Sequence, residues 1–186
     1  MGTVKSLLLG MCFVLGACTS QTSTVQTTEK GTQWEWQNGT IVVKTPERPA
    51  GQKSVLGLTT PKLEAVRVGF VGLGMRGPGA VERFTYIPGT QVVALCDYEE
   101  ARADKCQELL KKASMPKAAV YSGDKGYEEL CKRDDIDLVY IAADWLHHFP
   151  VAKCALENGK NVAIEVPSAM NLQECWDLIN LSESTR

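Results

Sequence analysis

From residue 65 onward, apolar runs alternate with amphipathic stretches, an order that predicts an α/β fold built on a doubly wound parallel sheet. Two further observations point the same way. A glycine-rich turn, "GLGMRG" at residues 72–77, follows the first apolar run, and the second run, "QVVALC", closes on a carboxylate, Asp97. Uninterrupted apolar strands need cover on both faces, which parallel sheets obtain from their crossover helices.

The first strand is "VRVGFVG", residues 66–72. After the glycines comes "PGAVERFTY", a helix with Pro78 in its first turn, where a missing N–H has no intrahelical partner to lose. The strand ending at Asp97 leads into a helix over 99–113 that places Ala103, Cys106, Leu110 and Ala113 on one face. Then follow a strand "AAVYS", a short helix around "GYEELCK", a strand "DLVYIAA", a helix "PVAKCALEN" closed by Gly159, and a strand "NVAIE". A last helix opens at Asn171 with Glu174 three residues on, a capping-box spacing, and its expected buried stripe is Leu172, Cys175, Trp176 and Ile179.

The start of the chain stands apart. Lys5 precedes an apolar stretch over 7–15 that is too short to span a membrane, and "LGAC" at 15–18 resembles the lipobox of bacterial lipoproteins. That resemblance implies a signal peptide over 1–17, a lipid-modified Cys18, and an exported protein anchored to a membrane, periplasmic or at the cell surface. Thr19 in place of Asp points to the outer membrane by the usual sorting rule. Residues 18–64 are polar and read as the lipidated cysteine, a tether to about residue 30, and an arm whose Trp34 and Trp36 are expected to pack on the main domain. Residues 65–186 form that domain.

Composition narrows the partners. The net charge is -2, and the 20 Lys and Arg residues are scattered, so no basic face is available for nucleic acid. Cys12 and Cys18 belong to the leader; Cys96, Cys106, Cys131, Cys154 and Cys175 never form C-x-x-C, and the only two histidines are adjacent, so no zinc site or other metal site can be assembled. These cysteines read as buried small hydrophobes, with a disulfide left open by the expected export.

The first turn carries the chemistry. Gly72, Gly74 and Gly77 permit a tight turn, close approach of backbone to a pyrophosphate, and close helix packing, while the helix N-terminus presents free N–H groups and about half a positive charge. Asp97 lies twenty residues after Gly77 at a strand tip, where it would grip a ribose 2′-hydroxyl. The joint context predicts a Rossmann-like nucleotide site. "DYEE" offers three carboxylates and no base before Arg102, which favours NAD over NADP. Arg76 either reaches the phosphates or is a surface arginine. Glu165, at the tip of the last apolar run and followed by Val166 and Pro167, faces either solvent or a ligand.

"VGFVGLGMRG", "VVALCD", "DIDLVYIA" and "ALENGKNVAIEVP", in that order, resemble the N-terminal, dinucleotide-binding half of the Gfo/Idh/MocA family of sugar-handling oxidoreductases. The likeness runs from about residue 66 to the end. That family's fourth strand usually ends in T-P-N-x-x-H and its fifth in E-K-P. Here Ala143, Asp144 and Trp145 replace Thr-Pro-Asn, His148 keeps its place, and Val166 replaces the lysine that helps to deprotonate a sugar hydroxyl. "GLGMRGPGAVERFTYI", "DWLHH" and "IEVP" together resemble glycoside hydrolase family 109, the NAD-dependent α-N-acetylgalactosaminidases.

The second resemblance implies a redox-neutral hydrolysis of a sugar or glycan: hydride leaves C3 to NAD, the C2 hydrogen is acidified, the C1 group is eliminated, water adds and hydride returns. It implies that Met75 and Arg76 line the phosphates, Asp97 the adenosine ribose, Trp145, Leu146, His147 and His148 the nicotinamide side, and Glu165 with Val166 the crevice floor. For Trp145 a core or interface role, and for His148 a packing role, stay open. Alternatives are a sugar oxidoreductase with tightly held cofactor and a non-catalytic NAD-binding remnant, and a homo-oligomer is left open. The family's C-terminal α/β substrate domain, with its catalytic groups, is expected to be absent, and the incomplete sheet is expected to make the isolated chain poorly soluble.

Overall fold

A computed structural model of the protein describes residues 26–27 and 33–185. The leader and Cys18 lie outside the described residues. In chain order the elements are β1 (Gln26–Thr27), β2 (Gln33–Gln37), β3 (Thr40–Val43), β4 (Val66–Val71), α1 (Gly77–Thr85), β5 (Thr90–Asp97), α2 (Glu100–Lys112), β6 (Ala119–Ser122), α3 (Gly126–Cys131), β7 (Leu138–Ile141), α4 (Trp145–Glu157), β8 (Asn161–Ile164) and α5 (Leu172–Ser184).

Five strands form a parallel sheet in the order β6-β5-β4-β7-β8. The order reverses between β4 and β7, the place where open α/β sheets leave a crevice beyond their carboxyl ends. Alternation along β4 fixes the two faces: Val68 and Phe70 join Ala80, Val81, Ala103, Cys106 and Leu110 of α1 and α2, while Val71 joins Leu130, Val151 and Ala155 of α3 and α4. Gly69 belongs to the second face, where an added Cβ would lie 3.0 Å from both Leu130 and Ile136. The β4–β5 register shifts between Val68 and Gly69, opposite Val93, and this bulge turns Ala94 and Cys96 toward the second face as Leu95 keeps the first.

The predicted strands and helices all appear, with three differences. First, α4 begins at Trp145, five residues before the expected start, because Asp144 caps it by accepting from Leu146 N at 2.9 Å. Pro150 therefore sits inside the helix rather than at its first turn, leaving the Leu146 carbonyl without its intrahelical donor.

Second, the expected stripe of α5 is not buried: Cys175 and Ile179 are exposed, and Glu183 is the helix's one buried residue. The helix lies against α4 and meets the core through Leu178, so the stripe that periodicity identified is covered only in part: Leu172 and Trp176 are half-buried, Cys175 and Ile179 are not. The cap itself is as expected, with Asn171 accepting from Glu174 N at 3.0 Å and Glu174 reaching back to Met170 N.

Third, the tryptophans of the arm do not bury themselves on the sheet domain as expected. β1, β2 and β3 make a small antiparallel sheet closed by an Asn38-Gly39 turn with both φ positive, the geometry that suits a two-residue hairpin. Trp34 and Trp36, two residues apart on one face of β2, meet edge to face at 6.4 Å, and Trp36 stays 56% exposed. The attachment is polar and lies further along: Arg48 grips Glu183 of α5 through Nε (2.8 Å) and Nη2 (3.0 Å). Among the described residues the five non-leader cysteines are free; Cys96, Cys106 and Cys131 are buried as expected, whereas Cys154 is half-buried and Cys175 exposed, against the expectation.

Candidate functional site

A cleft of about 1090 Å³ opens at the carboxyl ends of β4, β5, β7 and β8. Of the predicted nucleotide-site residues, Gly72, Gly74, Met75, Arg76, Asp97, Trp145, Leu146, His147, His148, Glu165 and Val166 line it. Gly77 does not.

The glycines divide the work of the turn. Gly72 has φ +90, and a Cβ there would fall 2.3 Å from Ala143 N, so the first glycine lets the turn cross the β7 end. A Cβ on Gly77 would fall 2.1 Å from the Gly72 carbonyl oxygen, so the third glycine lets α1 start directly beneath the turn. Gly74 is different. Among the described residues a Cβ there meets only Arg102 Nη1, at 3.5 Å, so none of them requires a glycine at this position. Its bare side faces the cleft, as it must if a phosphate is to approach the backbone. α1 begins here without a side-chain cap, and its N–H groups are open to an anion; Arg76, at the N-cap, is exposed and forms no ion pair among the described residues.

Asp97 stands at the tip of β5, 5% exposed. Its Oδ2 accepts from Leu73 N at 2.6 Å, and its Oδ1 accepts from Glu99 N at 3.0 Å and from Arg102 Nη1 at 3.3 Å. The carboxylate therefore ties β5 to the glycine turn while lining the cleft. Beside it, burial and the neighbouring Asp97 charge push the Cys96 thiol up to about 12, so it stays protonated and is no nucleophile.

On the far side, α4 delivers its first turn into the cleft. Trp145 and Leu146 are 60% and 73% exposed at the rim. His147 Nδ1 lies 2.6 Å from Asp144 Oδ2, and its Nε2 lies 3.8 Å from Asp124 on the loop after β6. Burial would raise the Asp144 carboxyl, but the bonds from His147 and from the backbone N–H groups of Leu146 and His147 outweigh it and hold it below its ordinary value. His148 is 1% exposed, and its Nδ1 donates to the Pro167 carbonyl at 2.6 Å. In the neutral ring this leaves Nε2 as an acceptor, and Nε2 is buried without a hydrogen-bond partner among the described residues. A buried orphan acceptor in a cleft wall is a place for a ligand's donor.

Glu165 extends β8 at the cleft floor, its N–H bonded to the Ile141 carbonyl and its Oε1 accepting from Tyr140 Oη at 2.7 Å. Burial and this carboxylate raise the Tyr140 phenol, which stays a donor. Val166 follows, 84% exposed, ahead of a cis bond to Pro167. The residue is an apolar surface at the rim and has no proton to exchange.

Several lining residues were not singled out from the sequence: Tyr98, Arg102, Asp124, Tyr127, Asp144 and Met170. Asp144 had a readable signal, its place as a helix cap after a strand, and Asp124 follows Ser122 and Gly123 just past a strand end. The others had none.

A cradle of bare glycine, open helix N–H groups and an orphaned buried acceptor fits a dinucleotide, and comparison with known proteins agrees. Residues 66–186 match the model of the Gfo/Idh/MocA oxidoreductase family, NAD-binding Rossmann fold. Glycosyl hydrolase family 109 protein 4 of Phocaeicola vulgatus is 79% identical over 187 residues, covering 100% of this chain and 36% of that protein. Glycosyl hydrolase family 109 protein 1 of Bacteroides thetaiotaomicron is 56% identical over 184 residues, covering 98% of this chain and 38% of that one. The chain thus spans about a third of the length of the curated relatives it matches. Among solved structures, myo-inositol dehydrogenase from Lactobacillus casei, in complex with NAD(H) and myo-inositol, superposes with a TM-score of 0.55 at 25% identity, over 63% of this chain and 33% of that one. Biliverdin reductase from Synechocystis, in complex with biliverdin and NADP+, does so with a TM-score of 0.55 at 28% identity, over 64% and 35%. Matched by that family model along residues 66–186, the chain belongs to the Gfo/Idh/MocA oxidoreductase family through its NAD-binding Rossmann domain.

Proposed function

We propose that this chain is the cofactor-binding part of an exported, NAD-dependent glycosidase acting on α-N-acetylgalactosaminides. The carrying observation is Val166: an exposed apolar side chain stands beside Glu165 where a sugar dehydrogenase of the family would present a lysine. The high identity to family 109 proteins over the whole chain supports the same reading. When bound, the nicotinamide supplies an acceptor that takes hydride from the sugar and returns it.

The chain's own residues bind and orient. Gly74 and the N-terminus of α1 receive the pyrophosphate, Arg76 adds a charge there, and Asp97 receives the adenosine ribose. His148, its tautomer set by the Pro167 carbonyl, offers Nε2 as an acceptor, and Tyr140 holds Glu165 in place at the floor. The acidic cluster around Asp97 favours NAD over NADP. Trp145, Leu146 and Val166 form an apolar rim that excludes water from a sugar lying over the cleft.

Three experiments test this. Isothermal titration of the chain with NAD+ should give saturable binding that Asp97→Ala weakens; unchanged affinity in the variant refutes the site assignment. A polypeptide in which this domain continues to the length of its glycosidase relatives should release N-acetylgalactosamine from a chromogenic α-glycoside with no net NADH at 340 nm, and accumulation of NADH would favour a dehydrogenase instead. For export, labelled palmitate should enter the chain in a bacterial host and fail to enter Cys18→Ser.

A further inference from the structure

We propose that Glu99 and Arg102 act with Asp97 as a charge lock that sets the cofactor choice: the two acids hold the Arg102 guanidinium so that the adenosine end accepts a free 2′-hydroxyl and turns away a 2′-phosphate. The inference rests on the dinucleotide-binding reading of the cleft and assigns its specificity to residues outside the glycine turn.

An ionised carboxylate has about four acceptor positions. On Asp97, Oδ1 already accepts twice, from Glu99 N and Arg102 Nη1, and Oδ2 once, from Leu73 N. One position remains, on Oδ2, enough for a single ribose hydroxyl. Asp97 is thus a one-point contact unless Arg102 leaves.

Arg102 is placed to matter to the ligand as well. It lines the cleft, its side chain is 42% exposed, and its Nη1 lies 3.5 Å from where a Cβ on Gly74 would stand, so the guanidinium bridges the phosphate turn and the tip of β5. Nη2 donates to Glu99 Oε1 at 3.0 Å. One cation is shared between two carboxylates, so the cluster is net negative, and Glu100 adds a further acid at the start of α2. A 2′-phosphate arriving here meets repulsion and an arginine whose planar fork is already engaged. Neutralising Glu99 removes one charge and turns the charged hydrogen bond that holds Nη2 into a weaker neutral one, so Nη2 can be drawn to an arriving phosphate. The guanidinium then becomes a phosphate ligand in an otherwise unchanged site, because Glu99 is exposed and its backbone N–H, which holds Asp97, is kept.

The test is titration of the intact chain with NAD+ and with NADP+. Wild type should bind NAD+ more tightly. Glu99→Gln should improve NADP+ binding about tenfold, the scale of one charged hydrogen bond gained, with NAD+ affinity kept within about twofold. Adding Arg102→Met should abolish that gain, which a merely structural role for the arginine would not do. An unchanged NADP+ to NAD+ ratio in Glu99→Gln, a gain that persists without Arg102, or a wild-type preference for NADP+ each overturns the lock. If wild type binds neither dinucleotide, the cofactor reading itself fails and takes the lock with it, whereas NAD+ binding with an unchanged ratio overturns the lock alone.

Discussion

The two ends of the cleft are built differently. At the glycine-turn end, backbone meets backbone and the polar atoms of Asp97 are held by Leu73, Glu99 and Arg102. At the α4–β8 end, large side chains stand in the open, with Trp145, Leu146 and Val166 exposed, and the buried Nε2 of His148 has no partner among the described residues. One end is complete within the chain, so its residues serve fold and binding together. The other is a surface prepared for something further, so its residues should serve binding far more than stability.

Substitutions can break that contrast, and the largest effect belongs at the closed end. Gly72→Val drives a Cβ into the Ala143 backbone from a left-handed conformation, and should cost more than about 3 kcal/mol in urea denaturation and abolish dinucleotide binding. Asp97→Ala strands the buried Leu73 N–H and loses the tie to Glu99; a loss of about 2 kcal/mol is expected by the same measurement, together with weaker NAD+ binding. Stability without a binding loss, in either variant, would collapse the distinction.

Acid should act through carboxylates that folding holds below their ordinary value, Asp144 at the open end and two others away from the cleft. Hydrogen bonds from Arg67 hold Asp137 below its ordinary value, and those from Arg133 do the same for Asp135, each against burial. The stabilisation from such lowered carboxyls is complete above their unfolded value near about 3.9 and is lost as pH falls through the folded ones. The melting temperature should therefore be flat through neutral pH and fall below about pH 4, and Asp137→Asn should lower it by several degrees at pH 7 while making the acid fall shallower. The smallest stability effects sharpen the contrast. Gly74→Ala, which meets nothing closer than 3.5 Å, and Trp145→Ala at the open rim should each change stability by no more than about 0.5 kcal/mol, yet Gly74→Ala should weaken NAD+ binding measurably in calorimetry.

The same division explains what could be read from the sequence. The sheet was legible because its strands are continuous apolar runs, and Gly72 and Gly77 because sterics leave no other residue there. The start of α4 was misread because Pro150 resembles a first-turn proline, while the true cap, Asp144, lies in what looked like a loop. The stripe on α5 was misread for a different reason: periodicity names a face but not what covers it, and Cys175 and Ile179 are uncovered by any described element. Arg102 carried no signal beyond its charge, since its meaning comes from two carboxylates and a glycine brought together by folding.

The arm's polar attachment has a topological consequence. Arg48 and Glu183 are 135 residues apart and meet through two hydrogen bonds, so the contact closes a ring around nearly the whole sheet domain. Ring closure over such a span is entropically late, and with Arg48 half exposed the ion pair adds little to hold it, so fraying at one end releases the other. A protease that cut between residue 48 and β4 would leave this part of the arm tied to α5 by side-chain hydrogen bonds alone, so the arm around Arg48 and α5 depend on each other despite their distance along the chain.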